Sequence, residues 1–462
     1  MEKVIVPPRM RNWTKGEWHI YFDPYNFVWV RVNDSGKLLI ELFRKHLSID
    51  EAAEHVAAKF PIARDQAGRS IRQFVDGLVA SRFLHIGDYW ERPRGEFPRL
   101  DFPHDIYLHL TNKCNLKCPY CYNKDDRENK IKLERKGGIE PTLSTEEFKN
   151  LIASCIRNGV HRLLFTGGEP LLRADVMELV AFARSLSQDV YLEMLTNAIK
   201  IDDSIAALMC QYLNAVTISL DGHEAHLHER YRGKGTFDPT VKGVRTLVAK
   251  KAELGQDRPY VAIVPALTDK NIINTKDIYQ FSLEDLGANG LAPIVFQAGD
   301  HQELNISQIP DLGVYVEVMD RTNEYLAERR ERLGLQSANS TGVAARNHCG
   351  VGHGEISVDP SGTVYPCQSL HFDEFRCGNV RDADIKEIFA DSTVMKRVRG
   401  TTVDKIAVCS HCDLKYLCNA GCRATAYNVY RQFDAHNEIY CKFLETMAVE
   451  KMWGTSHVSM SA

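Results

Sequence analysis

The chain has 462 residues, 44% hydrophobic and 26% charged, an ordinary globular composition long enough for about three domains. Lys and Arg number 57 against 61 Asp and Glu, so no basic excess points to nucleic acid or an anionic membrane. No apolar run of about 18 residues is present, and the opening segment lacks the apolar core of a secretory signal. These features predict a cytoplasmic protein whose 13 cysteines are metal ligands, catalytic groups or buried thiols rather than disulfides.

Residues 18–22 and 27–32 read as two strands around the turn Asp23-Pro24-Tyr25-Asn26. A helix capped within Asn33–Ser35 runs to about Lys45, and Ser48 with Glu51 forms the capping box of a second. A third helix spans roughly 65–81, and 83–86 is a short strand. Together, residues 1–92 are expected to form a winged-helix module, and the Pro- and Gly-bearing stretch 93–103 a linker. From 104 to 335, apolar runs at 106–110, 162–165, 190–195, 216–220, 260–267 and 291–297 alternate with helical segments. The clearest helix starts at the Ser144-to-Glu147 box, and another covers 311–333. Six alternating strands predict an α/β fold, a parallel sheet rolled into a partial (β/α)6 barrel. Residues 336–462 form a cysteine-rich third domain.

Cys114, Cys118 and Cys121 give C-x3-C-x2-C just after the first barrel strand, at the end where parallel barrels place active sites. Three thiolates suit a [4Fe–4S] cluster with one iron left open for a cofactor or substrate, whereas a structural zinc site wants four protein ligands. Thr166-Gly167-Gly168-Glu169-Pro170 follows the second strand. Its glycines permit close backbone approach to a ligand, and Glu169 offers a carboxylate to an ammonium group.

This pair of motifs resembles the radical S-adenosylmethionine (SAM) superfamily, with Tyr120 in the aromatic slot of its C-x3-C-x-aromatic-C signature. The resemblance implies that the open iron chelates the methionine part of SAM. It also implies that Gly168 and Glu169 hold its amine, and that Asn197, Ser219 and Asp221 contact its ribose or methionine part. Arg232 would pair with its carboxylate. The backbone near Tyr120 and the fifth and sixth strands would bind adenine.

Seven further cysteines run Cys349, Cys367, Cys409, Cys412, Cys418, Cys422 and Cys441. Their register resembles the SPASM domain, which holds two auxiliary iron–sulfur clusters. By that pattern Cys349, Cys367 and Cys422 bind the first cluster, and Cys409, Cys412, Cys418 and Cys441 the second. Some relatives place another cysteine soon after the first of the seven, but Gly350 to Ser357 contains none. The first cluster therefore shows three ligands, leaving an iron open to a substrate thiolate or to a distant residue, with Cys377 as a spare. Cys155 and Cys210 read as core thiols. Glu355, His353 and Gln368 lie near ligand cysteines, but the sequence identifies no general base.

Residues 1–92 carry 14 Lys and Arg against 12 Asp and Glu, too even a balance for phosphate-driven DNA binding. The module instead resembles the peptide-binding recognition element of ribosomal-peptide maturases, also found in pyrroloquinoline quinone biosynthesis. Such modules bind a leader peptide as an added strand, here beside residues 27–32 and the third helix. The resemblances together imply a radical SAM maturase of a precursor peptide, supplied with electrons by a flavodoxin or ferredoxin. The expected product is a thioether. The alternatives are carbon–carbon or carbon–oxygen cross-linking, oxidative decarboxylation, or, in a different class, an iron–sulfur redox-sensing regulator. Gln368 follows Cys367 where sulfatase-maturing relatives carry aspartate, which argues against that activity.

Overall fold

The computed structural model describes residues 3–91, 100–121, 131, 141–296, 308–334, 346–454 and 459–460. Most of the expected linker, residues 93–99, lies outside them.

The N-terminal module contains β1 (Val4–Ile5), β2 (Arg11–Lys15), β3 (Trp18–Asp23), β4 (Val28–Asn33), α1 (Asp34–Arg44), α2 (Ile49–Lys59), α3 (Arg64–Ala80) and β5 (His85–Ile86). Asn33 caps α1 by accepting from the Gly36 N–H at 3.0 Å, and the Ser48–Glu51 capping box starts α2. β2, β3 and β4 form an antiparallel meander, while β1 pairs with β5. Sequence reading missed β1 and β2. The first is two residues long, and the second, RNWTK, has one apolar residue, so its strand character comes from pairing along β3. Alternation divides the meander's side chains between its faces. Tyr21, Val30 and Val32 join the core made by the three helices. Ile20, Phe22 and Trp29 face the other way, onto Leu414, Val449 and Met452.

β6 (Asp105–His109), β7 (Arg162–Thr166), β8 (Tyr191–Thr196), β9 (Ala215–Ser219) and β10 (Tyr260–Val264) pair in parallel, as does the short β12 (Gly290–Leu291) beyond β10. The fifth and sixth expected strands are each shorter than predicted because a proline interrupts them. Pro265 separates β10 from β11 (Ala266–Leu267), and Pro293 separates β12 from β13 (Ile294–Val295). β11 and β13 then pair with each other. The helix Leu312–Arg332 is capped by Asp311, which accepts from the Val314 N–H at 3.0 Å.

The cysteine-rich region does not form a separate layer. β14 (Glu355–Val358) pairs in parallel with β6 on the edge opposite β7, and β15 (Thr363–Tyr365) and β16 (Gly378–Asn379) follow. One nine-stranded sheet results, in the order β12-β10-β9-β8-β7-β6-β14-β15-β16. Ile106, Leu108, Ile356 and Val358 pack into the helix-covered core, so Asp105, Tyr107, His109, Glu355 and Ser357 share the opposite, concave face. The helix Glu438–Gly454 follows, and β17 (Ser459–Met460) lies parallel to β4 opposite Arg31 and Val32. Among the described residues no helix is long and apolar enough to cross a membrane.

The flexible boundary expected after the N-terminal module is not what the packing provides. Arg9 pairs with Asp413 at 2.7 Å, Lys15 with Glu450 at 2.8 Å, and Phe27 packs edge-on to Tyr416. Together with the Ile20, Phe22 and Trp29 contacts, this is a core-like interface. Deleting residues 1–92 should therefore expose Leu414, Val449 and Met452 and sharply reduce the soluble fraction. The soluble yield of truncated and full chains checks this; equal yields would show that the interface is dispensable.

Candidate functional site

The loop after β6 carries Cys114, Cys118 and Cys121 and is held from below by the loop after β7. Gly168 N–H donates to the Thr111 carbonyl at 2.7 Å, and Glu169 N–H to the Lys113 carbonyl at 2.8 Å. A Cβ on Gly168 would collide with the Lys113 carbonyl, and one on Gly167, whose φ is +142°, would meet the Thr111 oxygen at 2.6 Å. The close approach these glycines permit is thus to the cysteine loop's own backbone.

Glu169 is 1% exposed. Its carboxylate accepts from the Thr196 hydroxyl at 2.7 Å, the Asn197 N–H at 2.8 Å and the Leu171 N–H at 3.1 Å. Burial pushes its pKa up to about 7 against the opposing pull of these donors. Asn197 is buried at the end of β8, and its amide donates to Asn115 at 2.8 Å, inside the cysteine loop. Ser219, half-buried, ends β9 opposite Val264. Glu169 and Asn197 are therefore brought against the first three cysteines.

Asp221, Arg232 and Tyr120 form a second group. Arg232 grips Asp221 with both arms, Nε to Oδ2 at 2.7 Å and Nη2 to Oδ1 at 3.1 Å, and its guanidinium lies 5.4 Å from the Tyr120 ring centre. The Tyr120 hydroxyl and the Ala266 N–H also donate to Asp221, which is fully buried. Burial opposes ionisation of Asp221, but Arg232, Tyr120 and Ala266 hold its carboxyl below the usual range. In this structure Asp221, expected to touch ribose or methionine, is instead the buried anchor that ties the Tyr120 turn to β10 and β11. The Arg232 fork, expected on the SAM carboxylate, holds Asp221 in this structure.

The C-terminal cysteines fall into the two interleaved groups. Cys349, Cys367 and Cys422 lie in one buried cluster with Val351, Tyr365 and Phe375, and the Cys349 and Cys367 thiols each sense Cys422. Cys409, Cys418 and Cys441 each sense Cys412. Burial pushes the Cys118, Cys349 and Cys418 thiols up to about 11. Cys377 faces elsewhere. Its thiol donates to the Phe375 carbonyl at 3.4 Å, and it packs against the barrel core. Cys155 and Cys210 are core thiols, both 0% exposed.

Among the described residues, no three His, Cys, Asp or Glu side chains converge closely enough for a single metal ion. In a cubane, by contrast, each cysteine binds its own iron. Arg423 tests the fit of such clusters. It is 3% exposed, donates to the carbonyls of Ala420, Phe433 and Ala435, and leaves Nε buried without a partner among the described residues. Burial disfavours its charge, while Cys349, Cys409, Cys422 and Cys418, drawn from both groups, favour it. A buried cation with a spare N–H between two sets of thiols fits anionic clusters on either side.

The concave face adds residues that sequence reading missed. His371 accepts or donates to Ser357 at 2.9 Å, stacks on Tyr365 with ring centres 4.4 Å apart, and lies 4.6 Å from the His109 ring. Period-two alternation in IYLHL marks Tyr107 and His109 as sharing a face, but nothing local marks that face as concave. Replacing Arg232 with Ala should cost about 3–5 kcal/mol by leaving Asp221 buried and unpaired. Denaturant unfolding of the variant checks this, and a loss below about 1 kcal/mol would show that the pair is not an anchor.

Comparison with known proteins agrees with this geometry. Residues 108–258 match the radical SAM superfamily model, 349–413 the SPASM iron–sulfur cluster-binding domain, and 19–84 coenzyme PQQ synthesis protein D. PqqA peptide cyclase of Rhodopseudomonas palustris is 30% identical over 341 residues, covering 70% of this chain and 83% of the relative. Mycofactocin maturase MftC of Mycolicibacterium smegmatis is 27% identical over 341 residues, covering 71% and 80%. Streptococcus suis SuiB bound to precursor peptide SuiA shares the fold at 15% identity and a TM-score of 0.55, across 95% of this chain and 99% of that one. Native anSMEcpe with bound AdoMet does so at 19% identity and a TM-score of 0.55, across 76% and 100%. The chain belongs to the radical SAM/SPASM peptide maturases, enzymes that work with a SAM-binding [4Fe–4S] cluster and auxiliary iron–sulfur clusters, and it carries a PqqD-type module ahead of its barrel.

Proposed function

We propose that the enzyme makes an oxidative cross-link in a ribosomal precursor peptide, a thioether between a cysteine sulfur and a carbon of another residue. The observation that carries this reading is the continuous concave face from Tyr107 and His109 on β6 to Glu355 and Ser357 on β14. A peptide lying along that face touches both the first cysteine loop and the first auxiliary set. The cluster–SAM pair, when bound, supplies one-electron cleavage to a 5′-deoxyadenosyl radical.

The chain's own residues position and exclude. Cys114, Cys118 and Cys121 would hold the SAM-binding cluster. Cys349, Cys367 and Cys422 would hold the first auxiliary cluster, and Cys409, Cys412, Cys418 and Cys441 the second. Gly168 and Glu169 would seat the methionine amine, with Asn197 and Ser219 beside them. Arg232, held by Asp221, would present its charge near the methionine carboxylate, and Tyr120 would flank adenine. The N-terminal module would take the leader as a strand on β4, over α3. In this structure β17 lies on that edge, so the leader would displace it. A small reductant protein such as flavodoxin or ferredoxin would deliver electrons.

Glu169 sets the pH response. Below about 7 burial keeps its carboxyl protonated, whereas an ammonium partner favours the carboxylate. SAM affinity should therefore rise with pH through about 7. Glu169→Ala should weaken SAM binding by about 1.5–3 kcal/mol and remove that pH dependence, with cluster absorbance unchanged. Equilibrium SAM binding across pH checks both, and unchanged affinity would take Glu169 out of the site.

The product separates this reading from a carbon–carbon cross-link. Either bond removes two hydrogens from the precursor peptide. A thioether also protects one cysteine from alkylation, and mass spectrometry after alkylation reads this directly. Two hydrogens lost with every cysteine still alkylated would overturn the thioether.

A further inference from the structure

We propose that Glu355 is the fourth protein ligand of the first auxiliary cluster, beside Cys349, Cys367 and Cys422. The inference rests on the cysteine assignment above and goes beyond it, since the sequence pattern leaves this position without a thiol.

The loop between Cys349 and Glu355 is built to bring the two together. The N–H groups of His353, Gly354 and Glu355 all turn onto the Gly350 carbonyl, at 3.0, 3.0 and 3.3 Å. That turn folds the start of β14 back over Cys349. Gly350 borders the carboxyl: a Cβ there would lie in ordinary contact, 3.5 Å from the Glu355 carboxyl carbon and 3.6 Å from its Oε1. From the other side, β14 and β15 pair antiparallel with Ser357 opposite Tyr365, a register that carries Glu355 opposite Cys367. The carboxyl therefore stands between two of the three cysteines, on the strand that continues the barrel sheet.

Glu355 is half-buried, a setting that favours a cation beside its carboxylate, and among the described residues no arginine is hydrogen-bonded to it. Arg162, the nearest on the concave face, gives its fork to Asp105 at 2.7 and 3.2 Å and to Glu193 at 3.3 Å. Iron would supply the missing charge. Cys377, the spare thiol of the sequence, is held at the Phe375 carbonyl and does not compete. Three thiolates and a carboxylate carry the same charge as four thiolates, so the Arg423 cation between the two sets serves either composition. A carboxylate is a harder donor than a thiolate, so the iron it holds is the one most exchangeable with an incoming thiolate.

The test uses the full chain with Cys114, Cys118 and Cys121 all changed to Ala, so that only auxiliary clusters remain, at about 8 irons per chain. In this background, native Glu355, Glu355→Ala and Glu355→Cys are reconstituted anaerobically. Iron content and electron paramagnetic resonance are then recorded after mild ferricyanide oxidation and during titration with 2-mercaptoethanol. Native Glu355 should keep its iron through oxidation. Glu355→Ala should lose about one iron, gain a three-iron signal, and shift its reduced spectrum with the thiol at far lower concentration than the parent. Glu355→Cys should keep its iron with an altered spectrum, since thiolate replaces carboxylate. Identical iron counts and thiol responses for native Glu355 and Glu355→Ala would overturn the proposal. So would an unchanged spectrum in Glu355→Cys, which decides the matter if the Ala variant does not fold. Well under 8 irons with Glu355 intact would overturn the cysteine assignment itself.

Discussion

Everything in this molecule hangs on both edges of β6 being occupied. β7 pairs along one edge and β14 along the other, residue for residue from Asp105 to Leu108. A strand with both edges used has no freedom to shift register, because a one-residue slip would turn Ile106 and Leu108 out of the core. That rigidity reaches the cysteine loop directly, since Cys114 lies five residues beyond the strand's last residue. The same pairing converts two sequence domains into one sheet, so the first cysteine loop and the first auxiliary set are fixed along one surface.

Charge is placed deep in this protein wherever a cofactor or a turn must be held. Asp221 is neutralised by Arg232 and serves as an anchor, with its oxygens shared among Arg232, Tyr120 and Ala266. Among the described residues Glu169 has three hydrogen-bond donors and no cation, so burial lifts its pKa to about 7. Arg423 is the inverse case, a cation whose polar partners are carbonyls and whose neighbours are thiols. Glu169 lies where a cationic ligand group is expected, and Arg423 lies beside cysteines. That pattern follows from the cost of burying an uncompensated ion.

The N-terminal module contributes more than a docking strand. One face of its meander closes its own helical core, and the other covers the C-terminal helix and the segment around Leu414, two residues past Cys412. Cys412 itself packs at this boundary. The module and the segment carrying Cys412 are therefore mechanically continuous, through Trp29, Phe27 and Leu414 rather than through a hinge.

The sequence by itself determined the chemistry and the order of parts. Cysteine spacing is a local property, because a loop can wrap a cluster only if its ligands lie a few residues apart. C-x3-C-x2-C, the Gly-Gly-Glu turn and the seven-cysteine register were therefore legible, as were the helix caps at Asn33, Ser48 and Ser144. Tertiary structure alone decided what depends on partners far along the chain. β2 is a strand because β3 pairs with it, and β14 joins β6 across more than two hundred residues. Pro265 and Pro293 were visible, but the β11–β13 ladder that their breaks create was not. Asp221 and Arg232 were found as ligand candidates, yet their grip on each other appears only when the loop after β9 folds back. Glu355 was read beside His353 and Gln368 as one of three polar residues near ligand cysteines. Only the turn onto the Gly350 carbonyl and the sheet register set its carboxyl between Cys349 and Cys367, because sequence distance carries no information about which way a side chain faces.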